Sequence, residues 1–332
     1  KAYGAKVVLC PSTKFIEDPK SYHSKAVELS RKIKGSFMPN QYYSLSNPRA
    51  HYESLGPEIW GQTNGKITHF FAAAGTGGTV SGAGKYLKEK NPNVKIIALD
   101  QDKSAWERAK SKFGGLEKRI SFINANFRNL DNLVVGLLSG SPTTKFDAII
   151  FDLGLSSDQL ENSGRGFSFM RSEPLLMTMK EGPTKEDLTA IDIVNDWSEK
   201  SLADIIYGYG EERFSRKIAK GITEAREMKR IETTFDLMDV IGSSVPLAYK
   251  RGRIHFATKT FQALRIAVND ELGTLKDGLE KGFDVLKKDG RMAVISFHSL
   301  EDRITKRFYK DKENEGKAKL IKKKPIIADR EE

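Results

Sequence analysis

The stretch that most limits the fold is FFAAAGTGGTVSGAGKYLKEKNPNVKIIALDQD, Phe70 to Asp102. It reads as an apolar strand, a glycine turn, a helix, a second apolar strand and a strand-end acid. A strand that feeds a helix and then another strand builds a parallel pair with a crossover, the repeating unit of α/β folds. The same rhythm recurs in ITHFFAA (Ile67 to Ala73), KIIAL (Lys95 to Leu99), RISFI (Arg119 to Ile123), DAIIFDL (Asp147 to Leu153) and MAVISF (Met292 to Phe297). VVL at Val7 to Leu9 adds a further strand pattern. After it Asp18 is placed to cap, and Pro19 to open, a helix whose Tyr22, Ala26, Leu29 and Ile33 share one face. The expected architecture is α/β, a doubly wound, mostly parallel Rossmann-like sheet.

One interval interrupts the alternation. From residue 163 to 256 the segments DLTAIDIVNDW, SLADIIYGYGEERFSRKIAKGI and TFDLMDVI carry helical spacing and little strand pattern, which reads as an inserted helical domain. The core is then expected over 99–162 and 257–310, with residues 1–98 supplying the first strand and the glycine turn. Residues 311–332 form a polar, lysine-rich tail.

Lysine and arginine number 55 against 44 acids, for a net charge of +11 across 332 residues. That surplus favours a polyanionic partner through phosphate contacts and counterion release, with a solubility role as the alternative. Cys10 is the only cysteine, so an internal disulfide and a cysteine-built zinc site are both excluded, and a reduced, cytosolic setting is expected. No apolar run approaches the roughly 18 residues of a membrane span. The start at Lys1 has no signal-peptide pattern and reads as a fragment or a processed chain.

The glycine turn GTGGT, Gly75 to Thr79, lets backbone amides approach an anion while the helix start adds partial positive charge. Asp100 ends the next strand, where a carboxylate accepts both hydroxyls of a ribose or caps the helix SAWERAKSKF. Asp152 ends another strand in FDLGLSSDQL and is expected on the same sheet edge.

Two resemblances divide the chain. From Gly4 to about Ala98 it resembles the cysteine synthase and cystathionine β-synthase family of pyridoxal-phosphate enzymes, through VVLCPST, GSFMPNQYYSLSNPRAHYESLGPEIWGQT and GTGGTVSG. That resemblance implies pyridoxal phosphate on the amides of Gly75 to Thr79, although the family's Schiff-base lysine has no counterpart here. From about Lys95 onward it resembles the bacterial 16S ribosomal RNA cytosine-N4 methyltransferase family, through ALDQD, NANF, FDLGLSSDQL, RGFSF, YGEERFSRKIAKGI, IHFATKTFQALRIAVNDEL and ISFHSLEDRITKRF. This second resemblance implies a fold of the S-adenosylmethionine methyltransferase type. It places cofactor contacts at Gly77, Gly78 and Thr79, at Asp100 for the ribose, at Phe127 and Asp152 around the adenine, and at Gln159. The two together imply a chimera joined where both families need strand, glycine turn, helix, strand and acid. The chain departs from the methyltransferase pattern at Phe71, Thr79, Leu176, Thr178 and Phe256, and it lacks the family's final basic motif.

Methylation of an exocyclic amine requires a group that orients the nitrogen and lets it shed a proton, and Asp152 is the candidate catalytic residue. The base must leave its stack, so an aromatic pocket with a basic rim is expected from Arg165, Phe167, Lys259, Arg265 and His298. No metal is expected, since the five histidines show no ligand spacing. The expected cofactor is S-adenosylmethionine, with pyridoxal phosphate as the alternative. The expected partner is 16S ribosomal RNA or the small ribosomal subunit in the cytoplasm, with a homodimer left open.

Overall fold

The computed structural model describes residues 19–38, 44–73, 77–103, 120–137, 145–156, 159–160 and 163–327, with positions 6, 8 and 10. In chain order the first elements are α1 (Tyr22–Lys32), α2 (Ser46–Glu53), α3 (Leu55–Gln62), β1 (His69–Ala73), α4 (Gly78–Lys90), β2 (Lys95–Asp100) and β3 (Ile120–Asn124). A 3-10 turn at Phe127–Asn129 leads into α5 (Leu130–Leu137) and β4 (Phe146–Asp152). Then come α6 (Ala190–Asp196), α7 (Glu199–Gly208), α8 (Ser215–Met228), α9 (Thr234–Ser244) and the single turn α10 (Leu247–Lys250). The last are α11 (Thr258–Asn269), α12 (Glu271–Asp284), β5 (Leu286–Ile295) and α13 (Ser299–Asn314).

These elements fall into two units. The first comprises Lys1–Asn124, Ser156–Asp187 and Met228–Ile241, and holds a parallel sheet in the order β1-β2-β3. Ile96, Ile97 and Ala98 of central β2 are buried as an unbroken apolar run, as expected of a strand covered on both faces. Crossover helix α4 lays Val80 and Leu87 on Val94 and Ile96, and burying each such side chain stabilises the unit by about 1.5–3 kcal/mol. Helix α2 packs closely on α4: a Cβ on Gly82 would lie 2.1 Å from the Pro48 carbonyl oxygen, so only glycine fits that contact.

Helix α1 begins later than its sequence pattern implied. Ser21, accepting the Ser24 amide at 3.0 Å, is its N-cap, while Asp18 lies outside the described residues. Its expected apolar face also stays out of the core, since no residue of α1 is buried. Four such positions on an otherwise charged helix give too little apolar area to hold it down.

The second unit comprises Ala125–Leu155, Leu188–Glu227 and Gly242–Glu332. Its sheet is β4 paired in parallel with β5, with Asp152 opposite Ile295 and a register shift between Phe146 and Ala148. One sheet face buries Phe151 among Leu275 and Leu279 of α12 and Phe308 of α13. Glycines on α12 permit this: a Cβ on Gly278 would lie 2.6 Å from the Phe127 ring, and one on Gly282 3.0 Å from Phe151. The helices of this unit bury Leu202 and Ile206, and Ile218 and Ile222, at the four-residue spacing of one helix face. Thr189 and Asp192 close a capping box on α6.

The expected α/β class with parallel strands is present, and among the described residues the interval 163–256 contributes one isolated bridge, Pro174 to Thr233, and no longer strand. One continuous sheet was expected, whereas among the described residues the strands form a three-stranded and a two-stranded sheet. Apolar periodicity marks which residues are extended and is silent on which strands pair. Of VVL only Val8 is described, and it is exposed and outside any strand; the SAWERAKSKF helix falls on residues outside the description.

Candidate functional site

Helix α4 starts at a left-handed N-cap, Gly77, whose φ of 79° is open to glycine at little cost. Gly77 and Gly78 are buried, and a Cβ on Gly78 would come 2.3 Å from Oδ1 of Asn47 on α2. Thr79 Oγ1 lies 3.3 Å from His51 Nε2, on the same helix α2. Gly75 and Thr76 lie outside the described residues. The room that Gly78 provides is thus taken by a side chain of this chain, and the close approach expected for a ligand is made by α2.

Asp100 does end β2, half-buried, and its Oδ1 accepts the Asp102 amide at 2.9 Å. A half-open carboxylate at the end of a parallel strand, one strand from a glycine-started helix, fits the ribose of a nucleoside cofactor. Two residues on is a group that the sequence reading passed over. Asp102 is 1% exposed, and its Oδ2 accepts from Gln159 Nε2 at 3.0 Å and from the Arg165 guanidinium. Arg165 also donates to the Met179 carbonyl at 3.0 Å and lies over the Phe167 ring. This corrects the expected rim: Arg165 and Phe167 are interior residues. A buried carboxylate requires a partner cation, and Arg165 supplies it. Gln159, expected at the cofactor, likewise spends its amide on Asp102 and Ser156. Gly166 completes the turn with a φ of 76°, and a Cβ there would meet the Pro174 carbonyl oxygen at 2.4 Å.

The second unit carries the other candidates. Asp152 reaches solvent at the end of β4, and desolvation by the surrounding protein pushes its carboxyl above the usual aspartate value. Leu153 is buried and donates its amide to the Ile295 carbonyl at 3.2 Å. Gly154 follows with a φ of 90°. Phe127 meets Phe151 edge-on at 5.5 Å between centroids, so its ring is part of the core under β4. The ring is half-buried, with α12 close enough that a Cβ on Gly278 would meet it.

Arg265 on α11 is also committed. It makes a two-pronged pair with Glu271 at 2.8 and 2.9 Å. Beside the pair, His298 places Nε2 3.3 Å from Glu301 Oε1, and Glu301 Oε2 accepts the Phe297 amide at 2.9 Å. Burial opposes the Glu301 charge, yet His298 and the Phe297 amide outweigh it and hold the carboxyl below its ordinary value. Burial raises Glu271 in spite of Arg265. Among the described residues, Glu271, His298 and Glu301 bring ligand-type atoms within 4.8 Å of one another. Arg265 and the starts of α12 and α13 already face those carboxylates with positive charge, so the cluster balances through protein groups. Lys259 donates to the Glu211 carbonyl at 2.8 Å, and Arg303 and Ser299 hold the Glu211 carboxylate. The expected basic side chains therefore act mainly as internal ties. Among the described residues, no helix is long and apolar enough to cross a membrane.

Residues 60–332 match the MraW methylase family, a span that includes β1 and the start of α4 as well as everything after them. The chain is 45% identical over 257 residues to ribosomal RNA small subunit methyltransferase H of Persephonella marina, covering 76% of this chain and 85% of that protein. It is 41% identical to the same-named protein of a Sulfurihydrogenibium species, covering 85% and 93%. A Nostoc relative of that name is 44% identical, covering 75% and 78%. A solved structure of a hydrogen sulfide-producing enzyme from Fusobacterium nucleatum aligns with a TM-score of 0.30 at 26% identity, covering 44% of this chain and 52% of that one. By the extent of the family match, the chain belongs to the MraW methylase family.

Proposed function

We propose that the chain transfers a methyl group from S-adenosylmethionine to the exocyclic N4 amine of a cytosine in 16S ribosomal RNA. The observation that carries this reading is the family match over residues 60–332, which takes in both strand-end acids. S-adenosylmethionine supplies an electrophilic methyl on a sulfonium. Asp100 receives the ribose hydroxyls, and the amides at Gly77 and Thr79 lie at the positive end of α4. Asp152 accepts an N–H of the cytosine amine, turning the nitrogen lone pair outward for attack, and takes up the proton that the nitrogen sheds. Its raised proton affinity suits that second task. The excess of 55 basic over 44 acidic residues supports docking on RNA or the small ribosomal subunit in the cytoplasm. One copy suffices for this chemistry, and sedimentation of the purified protein decides whether it dimerises.

The test is transfer of labelled methyl groups to small ribosomal subunits or their RNA, beside an Asp152→Ala control. Calorimetry with S-adenosylmethionine on the parent and on Asp100→Ala separates cofactor binding from chemistry. Absence of both binding and transfer rejects the reading.

The chimera expected from the sequence, with residues 1–98 of pyridoxal-enzyme type, gains no support, because the family match begins at residue 60 and takes in β1 and the start of α4.

A further inference from the structure

We infer that Phe297 is the ring on which the target cytosine stacks once it has left the RNA helix, an assignment that rests on the methyl-transfer reading above. Asp152 and Ile295 are register partners on adjacent parallel strands, so Phe297, two residues past Ile295, emerges at the strand edge that carries Asp152. Its ring lies over Gly154: a Cβ built there would sit 3.6 Å from Phe297 Cδ2. Neighbouring strands run about 4.8 Å apart, so ring and carboxylate belong to the same end of two adjacent strands.

The ring is 70% exposed, whereas Phe167, the aromatic first expected in this role, is 6% exposed. Leaving a phenyl group in water at a strand end forgoes its burial, and a base arriving from solution would recover it. The backbone below the ring is held in advance. The Phe297 amide donates to Glu301, and His298 behind it packs in the cluster with Glu271 and Arg265. A fixed backbone under an open ring gives a stacking platform at low ordering cost.

The experiment measures kcat and KM for methyl transfer to small ribosomal subunits, with S-adenosylmethionine affinity by calorimetry, for the parent, Phe297→Leu, Phe297→Ala, Phe297→Tyr and Phe297→Trp. The assignment predicts unchanged cofactor affinity throughout, a loss of about tenfold or more in kcat/KM for Leu and Ala, and activity within about threefold for Tyr and Trp. Leucine keeps the apolar bulk and loses the π-face, so a merely packing role would leave it active. An active parent with a fully active Phe297→Leu overturns the stacking assignment alone. An inactive parent that also fails to bind S-adenosylmethionine removes the underlying reaction instead.

Discussion

The ends of β2 and β4 each present an aspartate, and the protein treats them in opposite ways. Around β2, the surroundings are closed: Asp102 is buried with Arg165 and Gln159, and the glycines of α4 are filled by α2. Around β4, Asp152, Ile150, Ile295 and Phe297 face solvent. A closed strand end fixes a small ligand by geometry, whereas an open one admits a bulky polymer. The contrast teaches that the acid proposed to work on RNA is the accessible one, and that exposed apolar surface accompanies it.

The largest expected effect separates activity from folding at the open end. Asp152→Asn should lower methyl transfer by about 100-fold or more while the protein stays folded. Because the folded carboxyl binds its proton more tightly than the unfolded one, ionising it costs stability as pH rises from the ordinary aspartate range through the raised folded value. The asparagine protein should therefore match or exceed the parent in thermal unfolding at neutral pH. Activity of the parent should also fall, on acidification, at a higher pH than an ordinary aspartate would give. A large drop in unfolding temperature for Asp152→Asn would show that the open end is structural after all.

Next in size is the closed end. Asp102→Ala strands the buried Arg165 charge and should cost about 3–5 kcal/mol, read by denaturant unfolding. Replacing both, Asp102→Leu with Arg165→Met, should recover much of that loss. Gly82→Ala should cost about 1–3 kcal/mol, because its methyl group meets the Pro48 carbonyl and α2 must shift.

The smallest effect belongs to an acid at the surface of the first unit. Lys180 and Thr184 hold Asp187 down to about 2. Its contribution is present above the ordinary aspartate value and fades as pH falls toward about 2, so Asp187→Asn should lower the neutral-pH melting temperature slightly, with the difference from the parent closing as the solution is acidified. A difference that persists undiminished in acid would argue that this turn does more than hold a charged carboxylate.

Much of this was legible in the residue order. KIIAL, RISFI and DAIIFDL each form strands within a residue or two of their apolar runs, because a run that short and that β-branched has few other buried solutions. Asp100 and Asp152 were legible as strand-end acids for the same reason. Asp102 and Phe297 were not, since their roles depend on partners far along the chain. Arg165, 63 residues from Asp102, reads as an ordinary exposed base until the fold supplies its acid. Phe297 reads as the end of an apolar strand until β5 is paired with β4 and its ring is left outside. The α1 pattern misled in the other direction, since a helical repeat guarantees a stripe and not a surface to receive it.

The Asp102–Arg165 tie has one more outcome. Its acid is two residues downstream of Asp100, and Asp100 Oδ1 holds the Asp102 amide, so the turn and the RGF loop are tied through Asp102 as well as through Gln101 and Met179. Any occupant that steadies the Asp100 turn also slows breathing of the loop from Arg165 to Met179, whose backbone meets at the Met177 amide and the Arg165 carbonyl, 2.7 Å apart. Grip on a nucleoside sugar would then register as deuterium retention in a stretch of chain that never touches it.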